Sequence, residues 1–387
     1  MQEEHQADYA VRISGLTKRF GPVVANHNVS LSVRRGEILA ILGENGSGKT
    51  TLMNMISGIY MPDEGVMEVN GQPVSIKSPK DAIRLGIGMI HQHFKLVEVM
   101  TARDNILIGA DKAVRDKLDD LLARFSLKID LNKKIYNMSV SEKQTVEIIK
   151  VLSRGADILI LDEPTAVLTP QEIDGLFDIL REMKAQGHAV VIITHKLGEV
   201  MDISDRVAIL RKGESVGEVM TKDTDVNQLT ELMVGRPISL AIDRKPRPRG
   251  DALLDVHRLS VKTADGAQRL SNVSFCLHEG EILGVCGVAG SGQKELCEAI
   301  AGLQSADGGT ILLDGKRVEG LSTREIIRRG ISMSFIPEDR LGMGLVGSMN
   351  LVDNMMLKTY AFQKGPFLRR DAARKLTTRL IKTLIIS

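Results

Sequence analysis

Short apolar runs along the chain predict β-strands, and longer segments with helical periodicity lie between them. The strand-like runs are Val29–Val33, Glu37–Leu42, Ile158–Leu161 and Val190–Thr194. The last two are rich in β-branched residues, which is typical of strands buried on both faces of a parallel sheet. The helical segments are Thr50–Ile59, Ser141–Ser153 and Pro170–Gln186. This alternation predicts a layered α/β fold.

A glycine-rich loop follows the second of these runs, and nearly the same loop returns later in the chain. Gly43–Thr50 and Gly287–Lys294 are 244 residues apart, and other glycines recur at the same spacing. Such agreement indicates duplication of a whole domain, because solenoid repeats have periods of about 20–50 residues. We therefore predict two tandem domains, over residues 9–242 and 251–387. A stiff, basic linker over residues 243–250 joins them.

Composition limits the classes of function. Of the 387 residues, 43% are hydrophobic and 26% are charged, and the net charge of +2 gives little support for nucleic-acid binding. No apolar stretch approaches the roughly 18 residues that span a bilayer, and the polar N-terminus is unlike a signal peptide. Cys276, Cys286 and Cys297 lack the spacing of a metal site, and we expect them to be reduced and buried. These features favour a cytosolic protein that reaches a membrane only through other proteins.

The first glycine loop has the pattern G-x-x-x-x-G-K-[ST], whose backbone amides cradle phosphate groups. Lys49 adds a cation for the β- and γ-phosphates, and Thr50 offers a hydroxyl ligand to Mg²⁺. A chance glycine turn is the alternative, but a strand precedes the loop and a helix follows it, as the motif requires. The expected nucleotide contacts are Gly43, Glu44, Asn45, Gly46, Ser47, Gly48, Lys49, Thr50 and Thr51.

Two carboxylates follow the apolar run Ile158–Leu161. We expect Asp162 to hold the hydrated Mg²⁺, and Glu163 to orient and polarise the attacking water. The alternative is a solvated acidic turn. His195 follows another apolar run, at the carboxyl end where α/β sheets bind ligands, and is expected to contact the γ-phosphate. Taken alone, such a residue is more often a strand-end histidine that has no catalytic task.

Two further candidates have weaker signals. Gln92 follows a strand-like run, where a glutamine by itself is equally compatible with a surface or a hydrogen-bonded core position. Phe20 lies upstream of the loop and is expected to stack on adenine, with core packing as the alternative.

Together these motifs resemble an ATP-binding-cassette ATPase. The residues that carry the resemblance are Gly43–Thr50, Gln92, Met138–Gln144, Leu161–Thr165 and His195. The duplicated form looks like the fused ATPase subunit of simple-sugar and nucleoside importers, on the segments Met89–Gln92 and Phe335–Arg340. The segment His91–Val97 is most similar to the nucleoside and basic-membrane-lipoprotein branch. The resemblance implies two RecA-like mixed-sheet cores with helical subdomains, the second of them incomplete.

The resemblance also implies a set of roles. Two cassettes face head to tail, so that each ATP lies between the P-loop of one and the signature helix of the other, where Ser139 would meet the γ-phosphate. Glu163 would be the catalytic base, His195 the switch histidine and Phe20 the adenine stacker. Gln92 would sense Mg²⁺ and couple to the permease. The implied cofactors are ATP and Mg²⁺, with the metal near Thr50, Gln92 and Asp162.

The implied partners are two transmembrane permease subunits and, through their complex, an extracytoplasmic solute-binding protein. No nucleic-acid partner is expected. The permeases would dock beside Gln92 and around His93–Met100, although this stretch also fits a bland apolar loop. Such a subunit would lie at the cytoplasmic face of the cell membrane.

The first signature departs from the family pattern Leu-Ser-Gly-Gly-Gln. It reads Met138-Ser139-Val140-Ser141-Glu142, so both glycines have gained a Cβ where the backbone should approach phosphate. Glu142 adds a like charge, whose repulsion would be on the order of 4 kcal/mol at about 4 Å and an effective dielectric near 20, and far less if it is solvated. We expect this signature to be weak.

The second copy departs further. Gln293 replaces the P-loop lysine, and Lys294 takes the position of the hydroxyl that binds Mg²⁺. No second signature, Asp-Glu strand or switch histidine is found, and we expect a C-terminally truncated domain with a poorly packed apolar tail. A catalytically impaired or regulatory protein is therefore an alternative to an importer ATPase. A twin-cassette protein acting on ribosomes or DNA is disfavoured, because those usually carry two intact P-loops or a long charged linker.

Overall fold

The computed structural model describes residues 9–384, except 93, 111–113, 116–117, 126, 128, 237–248, 264–265, 288–289, 329–335, 338–341, 343, 358, 361–362, 364 and 366. The chain divides into two compact units between Asp243 and Arg244. His93, most of the predicted linker and most of Phe335–Arg340 lie outside the described residues.

In its described residues, the first unit contains two sheets built from ten strands. The strands are β1 Tyr9–Phe20, β2 Val23–Arg34, β3 Ile38–Leu42, β4 Glu64–Val69, β5 Gln72–Val74, β6 Ile87–Ile90, β7 Ile158–Asp162, β8 Ala189–Ile193, β9 Arg206–Arg211 and β10 Glu214–Met220. One sheet is antiparallel, with the order β2-β1-β4-β5. The other has the order β10-β9-β3-β8-β7-β6. Adjacent strands in this sheet are parallel, except that β9 and β10 are antiparallel. The parallel strands predicted at 158–161 and 190–194 are confirmed.

Eight helices complete the first unit. They are α1 Lys49–Ile56, α2 Pro79–Arg84, α3 Ala102–Leu107, α4 Leu118–Arg124, α5 Val140–Leu152, α6 Pro170–Ala185, α7 Leu197–Ile203 and α8 Val226–Val234, among the described residues. Side chains set several boundaries. Thr169 caps α6 reciprocally with Glu172, and Pro170 occupies the first turn, where no amide partner is lost.

The parallel sheet is buried on both faces because successive residues of each strand point to opposite sides. In β7, Ile158 and Ile160 join the core that the antiparallel sheet and α1 cover. Leu159 and Leu161 join a second core, formed with α3, α5 and α6. This two-sided burial explains why the runs are continuously apolar instead of alternating.

A buried ion-pair cluster around Arg206 connects the two sheets. The Arg206 guanidinium on β9 donates to the Glu37 carboxylate at 2.7 and 2.9 Å, and to the Ser32 carbonyl of β2 at 2.7 Å. It also contacts Glu218 on β10. The Arg206 and Glu37 side chains are only 7% and 8% exposed, so neither charge can turn to water if its partner is removed.

The second unit repeats the antiparallel sheet. Its strands are β11 Ala252–Lys262, β12 Gln268–His278, β13 Gly308–Leu313 and β14 Lys316–Arg317, in the order β12-β11-β13-β14. Its helices are α9 Gln293–Ile300, α10 Thr323–Arg328, α11 Leu351–Met356 and α12 Asp371–Leu384, among the described residues. A hydrogen bond that holds a loop also recurs. The side-chain oxygen of Asn354 accepts from the Val346 amide, and that of Asn105 accepts from the Val97 amide. This structural repeat supports the duplication predicted from the glycines.

Two features of the second unit differ from the sequence predictions. The duplication implies a strand at residues 281–286, the counterpart of Glu37–Leu42, but these residues do not form one, and Ile282 and Val285 are 80% and 53% exposed. In the first unit, β8 and β9 flank this strand, whereas no described residue of the second unit pairs with the segment. The cysteines are free as expected, but Cys286 and Cys297 are exposed and Cys276 is half-buried.

The Arg206 cluster gives a prediction for stability. Arg206→Met should lower the free energy of unfolding of the first unit by roughly 3–5 kcal/mol, because it leaves two carboxylates without their cation. The matched control is Arg181→Met, which removes exposed pairs with Asp178 and Asp202 and should cost about 1 kcal/mol or less. Urea unfolding followed by circular dichroism measures both. Equal costs for the two variants would contradict the role given to the buried cluster.

Candidate nucleotide-binding site

The loop Gly43–Thr50 connects β3 to α1 and closes tightly on its surroundings. Gly48 has φ 94°, and a Cβ on it would lie 2.5 Å from the Ala25 carbonyl oxygen. A Cβ on Gly43 would lie 2.3 Å from both the Leu210 carbonyl oxygen and the Ser47 hydroxyl. The glycines are therefore required by backbone conformation and close packing, and they leave the loop amides free of shielding side chains.

Lys49 is the first residue of α1 and is 6% exposed. Its ammonium donates to the Gly43 and Glu44 carbonyls at 2.8 and 2.9 Å. Burial lowers the pKa of Lys49, and the charges of Glu163 and Asp162 oppose that shift. The ammonium thus lies in the mouth of the loop, at the positive end of the α1 dipole.

Asp162 ends β7 opposite the loop. One of its carboxylate oxygens accepts a long 3.4 Å hydrogen bond from the Thr50 hydroxyl. Burial and, secondly, the charge of Glu163 raise the pKa of Asp162. Both causes disfavour the ionised carboxylate, and a cation bound between Asp162 and Thr50 would reverse that effect.

Glu163 lies where three predicted site residues meet. The Gln92 amide donates to Glu163 Oε2 at 3.1 Å, and His195 Nδ1 lies 3.1 Å from Oε1. Glu163 has φ 48°, a left-handed conformation that is uncommon for a residue other than glycine, asparagine or aspartate. Strained backbone of this kind costs about 1–3 kcal/mol and is concentrated at functional sites. The structure therefore groups Gln92, Glu163 and His195 at the carboxyl end of the sheet.

The remaining predicted contacts are arranged differently. Phe20 is 42% exposed and meets the Tyr60 ring edge to face at a centroid distance of 5.2 Å, so it does not pack into the core. Thr51 is half-buried in the first turn of α1. Ser139 is an exposed N-cap of α5, and its hydroxyl accepts from the Glu142 amide at 3.2 Å. No described hydrogen bond joins Ser139 to the glycine loop.

The Glu142 charge is compensated within its own unit. Its carboxylate accepts from the Ser139 amide at 2.7 Å and pairs with Lys133 at 2.8 Å. The hydrogen bonds to Lys133 and to the Ser139 amide lower the pKa of Glu142. The repulsion expected from its sequence position is therefore reduced by a local cation and by the positive end of α5.

Two supports of the loop were not predicted from the sequence. Asn26 is fully buried on β2 and donates to the Gly48 carbonyl at 3.3 Å, and the Gly213 amide donates to the Ser47 carbonyl at 3.1 Å. Asn26 could have been found from the sequence, because it is a polar residue on the inward-facing side of a strand. Gly213 has no such signal, since it approaches the loop only through the β9–β10 turn.

The described residues fit Mg²⁺ and a triphosphate. The Ser47 hydroxyl is buried within the loop without a hydrogen-bond partner, and this is an orphaned polar atom of the kind that a phosphate oxygen satisfies. Thr50 and Asp162 offer the oxygen ligands that Mg²⁺ prefers.

Comparison with known proteins decides the family. The profile described as ABC transporter matches residues 26–166 and 270–378. The nucleoside import ATP-binding protein NupA of Lactococcus lactis is 41% identical over 359 residues, covering 90% of this chain and 71% of that protein. The guanosine import ATP-binding protein NupO of Bacillus subtilis is also 41% identical, with 91% and 71% covered. The glucose import ATP-binding protein TsgD13 of Haloferax volcanii is 39% identical, with 90% and 70% covered.

The chain belongs to the ABC transporter family, as an ATP-binding subunit.

Solved structures agree with this assignment. An ABC-transporter ATP-binding cassette in its ADP conformation is 26% identical, with a TM-score of 0.54, and matches 59% of this chain and 99% of its own length. The cassette cbiO1 of Clostridium perfringens is 28% identical, with a TM-score of 0.51 and coverages of 56% and 90%. Among the described residues of this ABC subunit, no helix has the length and hydrophobicity of a membrane span.

The second glycine loop of this ABC subunit differs from the first in its chemistry. A Cβ on Gly287 would lie 2.3 Å from the side-chain amide nitrogen of Gln293, so this uncharged side chain lies against the start of its own loop. The Lys294 side chain is 66% exposed and lies 3.9 Å from Glu298. Lys294 therefore does not supply the missing cation.

Lys49 gives the first prediction for this site. Lys49→Ala should weaken MgATP binding at the first site by roughly 10–100-fold, because it removes a charge-assisted hydrogen bond worth about 1.5–3 kcal/mol. Lys294→Ala is the matched control in the second loop and should leave this affinity unchanged. Titration with a fluorescent ATP analogue measures both. A Lys49→Ala protein that binds as tightly as the parent would overturn the assignment of this loop.

The raised pKa of Asp162 gives a second prediction. Without nucleotide, Asp162→Asn should raise the unfolding temperature at pH 8, because it removes a buried charge beside Glu163. The parent carboxyl gains protons as the pH falls through its raised pKa, so the advantage of the variant should shrink in that direction. Thermal melts from pH 8 to pH 4 test this. A gain that stays constant with pH would contradict the electrostatic cause.

Proposed function

We propose that this chain hydrolyses ATP at its first site to energise the uptake of nucleosides or simple sugars through partner permeases. The observation that carries the proposal is the grouping of Gln92 and His195 on the Glu163 carboxylate, beside Lys49 and Asp162. The similarity to subunits named for the import of nucleosides, guanosine and glucose supports the choice of solutes.

Each side chain has a chemical task in this proposal. The Lys49 ammonium and the loop amides hold the β- and γ-phosphates, and Thr50 and Asp162 hold Mg²⁺, which neutralises charge on the phosphates. Glu163 accepts the proton of the attacking water. His195 and Gln92 hold the Glu163 carboxylate in place through contacts of 3.1 Å. Phe20 offers an exposed aromatic face to adenine.

The two units contribute unequally. The second glycine loop lacks the lysine, and Ser139 of the first unit is already engaged with Glu142. We therefore assign turnover to the first loop. The same features also favour a second candidate, a catalytically impaired or regulatory cassette subunit.

A cavity beside Gln92 is a candidate contact for the permeases. It has a volume of about 180 Å³ between β6 and α5, and its lining residues include His91, Lys95, Lys150 and Arg154. Burial and the nearby Lys95 charge lower the pKa of His91. The cations of the wall are Lys95, Lys150 and Arg154, and one carboxylate, Glu147, lies 3.4 Å from Lys150. A segment docked here would contact the element that carries Gln92. Docking would place the subunit at the cytoplasmic face of the membrane, together with two permeases and an extracytoplasmic solute-binding protein.

Glu163 provides the test of this function. Glu163→Gln should retain MgATP binding but lower kcat for ATP hydrolysis by at least about 100-fold, because the amide cannot accept the proton. Glu182→Gln, an exposed change on α6, is the matched control and should leave kcat unchanged. The assay uses the chain co-purified with its permeases in proteoliposomes that contain either a nucleoside or a sugar. Turnover of Glu163→Gln at the parent rate would refute the proposal, and a parent that binds MgATP without turnover would favour the regulatory candidate.

A further inference from the structure

A closed polar cluster lies behind Glu163 and His195. The Thr165 hydroxyl donates to Glu199 Oε2 at 2.6 Å, and Lys196 Nζ lies 3.0 Å from Glu199 Oε1. Lys196 Nζ also donates to the Thr165 carbonyl at 2.8 Å. The Thr194 hydroxyl, 3.5 Å from the Glu199 carboxylate, accepts from the Lys196 amide at 3.1 Å. Each of the four residues therefore contacts at least two of the others.

The chain positions of these residues give the cluster its significance. Thr165 is two residues after Glu163, in the loop between β7 and α6. Thr194 and Lys196 flank His195, in the loop between β8 and α7. The cluster therefore ties together the two loops that carry Glu163 and His195. Their side chains meet at 3.1 Å, and a small relative movement of the loops would break that contact.

Burial favours the arrangement in which these residues contact one another. Thr165 and Thr194 are each 2% exposed, and the Glu199 side chain is 13% exposed. A carboxylate in this environment needs its donors, because water cannot replace them fully. Lys196 is 37% exposed and reaches inward to contact both Glu199 and Thr165. The favourable arrangement is the one in which both loops are held against Glu199.

We infer that Glu199 is a positioning residue for ATP hydrolysis, which acts through Thr165 and Lys196 to hold the Glu163 loop and the His195 loop in register. The inference rests on the hydrolytic roles proposed for Glu163 and His195. Glu199 touches neither nucleotide nor water in this scheme, so its loss should affect the rate of the chemical step more than the binding of ATP.

Steady-state kinetics give the first test. Glu199→Ala should lower kcat at least tenfold and change KM for ATP less than twofold. Glu199→Gln keeps an acceptor for the Thr165 hydroxyl, and its kcat should lie between those of Glu199→Ala and the parent. Asp202→Asn is the matched control on the same helix, since Asp202 pairs with the exposed Arg181, and it should match the parent. Equal kcat for Glu199→Ala and the parent would overturn the inference.

A double-mutant cycle separates positioning from general destabilisation. In a His195→Ala background, Glu199→Ala should cause less than a twofold further loss of kcat, because the contact that it positions is already gone. If the two losses multiply, Glu199 acts independently of His195 and the inference is wrong.

A measurement that does not depend on ATP hydrolysis tests the positioning role separately from the proposed function. In protein labelled with ¹³C at histidine Cε1, the His195 resonance is assigned by its loss in His195→Ala. That resonance should shift in Glu199→Ala and Thr165→Val but not in Asp202→Asn. An unshifted resonance in the first two variants overturns the positioning role even if the parent hydrolyses ATP. If the resonance shifts in these two variants but the parent shows no ATPase activity, the positioning role is supported and only the proposed function is refuted.

Discussion

The parallel hydrogen-bond register of β3, β7 and β8 is the constraint on which the site depends. Ile41 is paired with Ile193, and Asp162 is also paired with Ile193, so all three strands end at one level. The residues just beyond those ends are the glycine loop, Glu163 and His195. Because side chains alternate along a strand, a slip of one residue would move an entire apolar set to the wrong face. The two buried cores therefore hold the site geometry indirectly, by allowing only one register.

Electrostatics at this edge are unbalanced in a way that suits a charged ligand. Asp162 and Glu163 stand close together, and burial with mutual repulsion raises the pKa of Asp162. Lys49 faces both carboxylates, but burial lowers its own pKa. A divalent cation together with a triphosphate would satisfy both kinds of group. The site thus has unfavourable interactions in the free protein that a bound metal nucleotide relieves.

A comparison of the two units shows how much the site geometry depends on the parallel sheet. Both contain the same four-stranded antiparallel sheet, and both begin a helix at the end of a glycine loop. In the described part of the second unit, however, residues 281–287 have no strand partner and their apolar side chains are exposed. The loop there lacks both its lysine and a facing carboxylate among the described residues. Local sequence similarity therefore preserves the loop and the start of its helix, but in the described residues it does not preserve the strand before the loop.

The sequence by itself determined the strands at 158–161 and 190–194, the α/β class, the duplication and the identity of the loop around Lys49. These features follow from periodicity, glycine spacing and chain order, all of which are local. The sequence also suggested Gln92, but only by resemblance, since a lone glutamine has no local signal.

Tertiary structure alone decided which distant residues meet. Asn26 and Gly213 brace the loop, Lys133 compensates Glu142, and Glu199 ties two loops together. The exposure of Cys286 and of residues 282–285 was likewise invisible in the sequence, where an apolar run predicts burial. The physical reason is the same in each case. Periodicity shows that a side chain suits a buried strand or a polar edge, but its partner is selected by sheet order and packing between elements far apart in the chain.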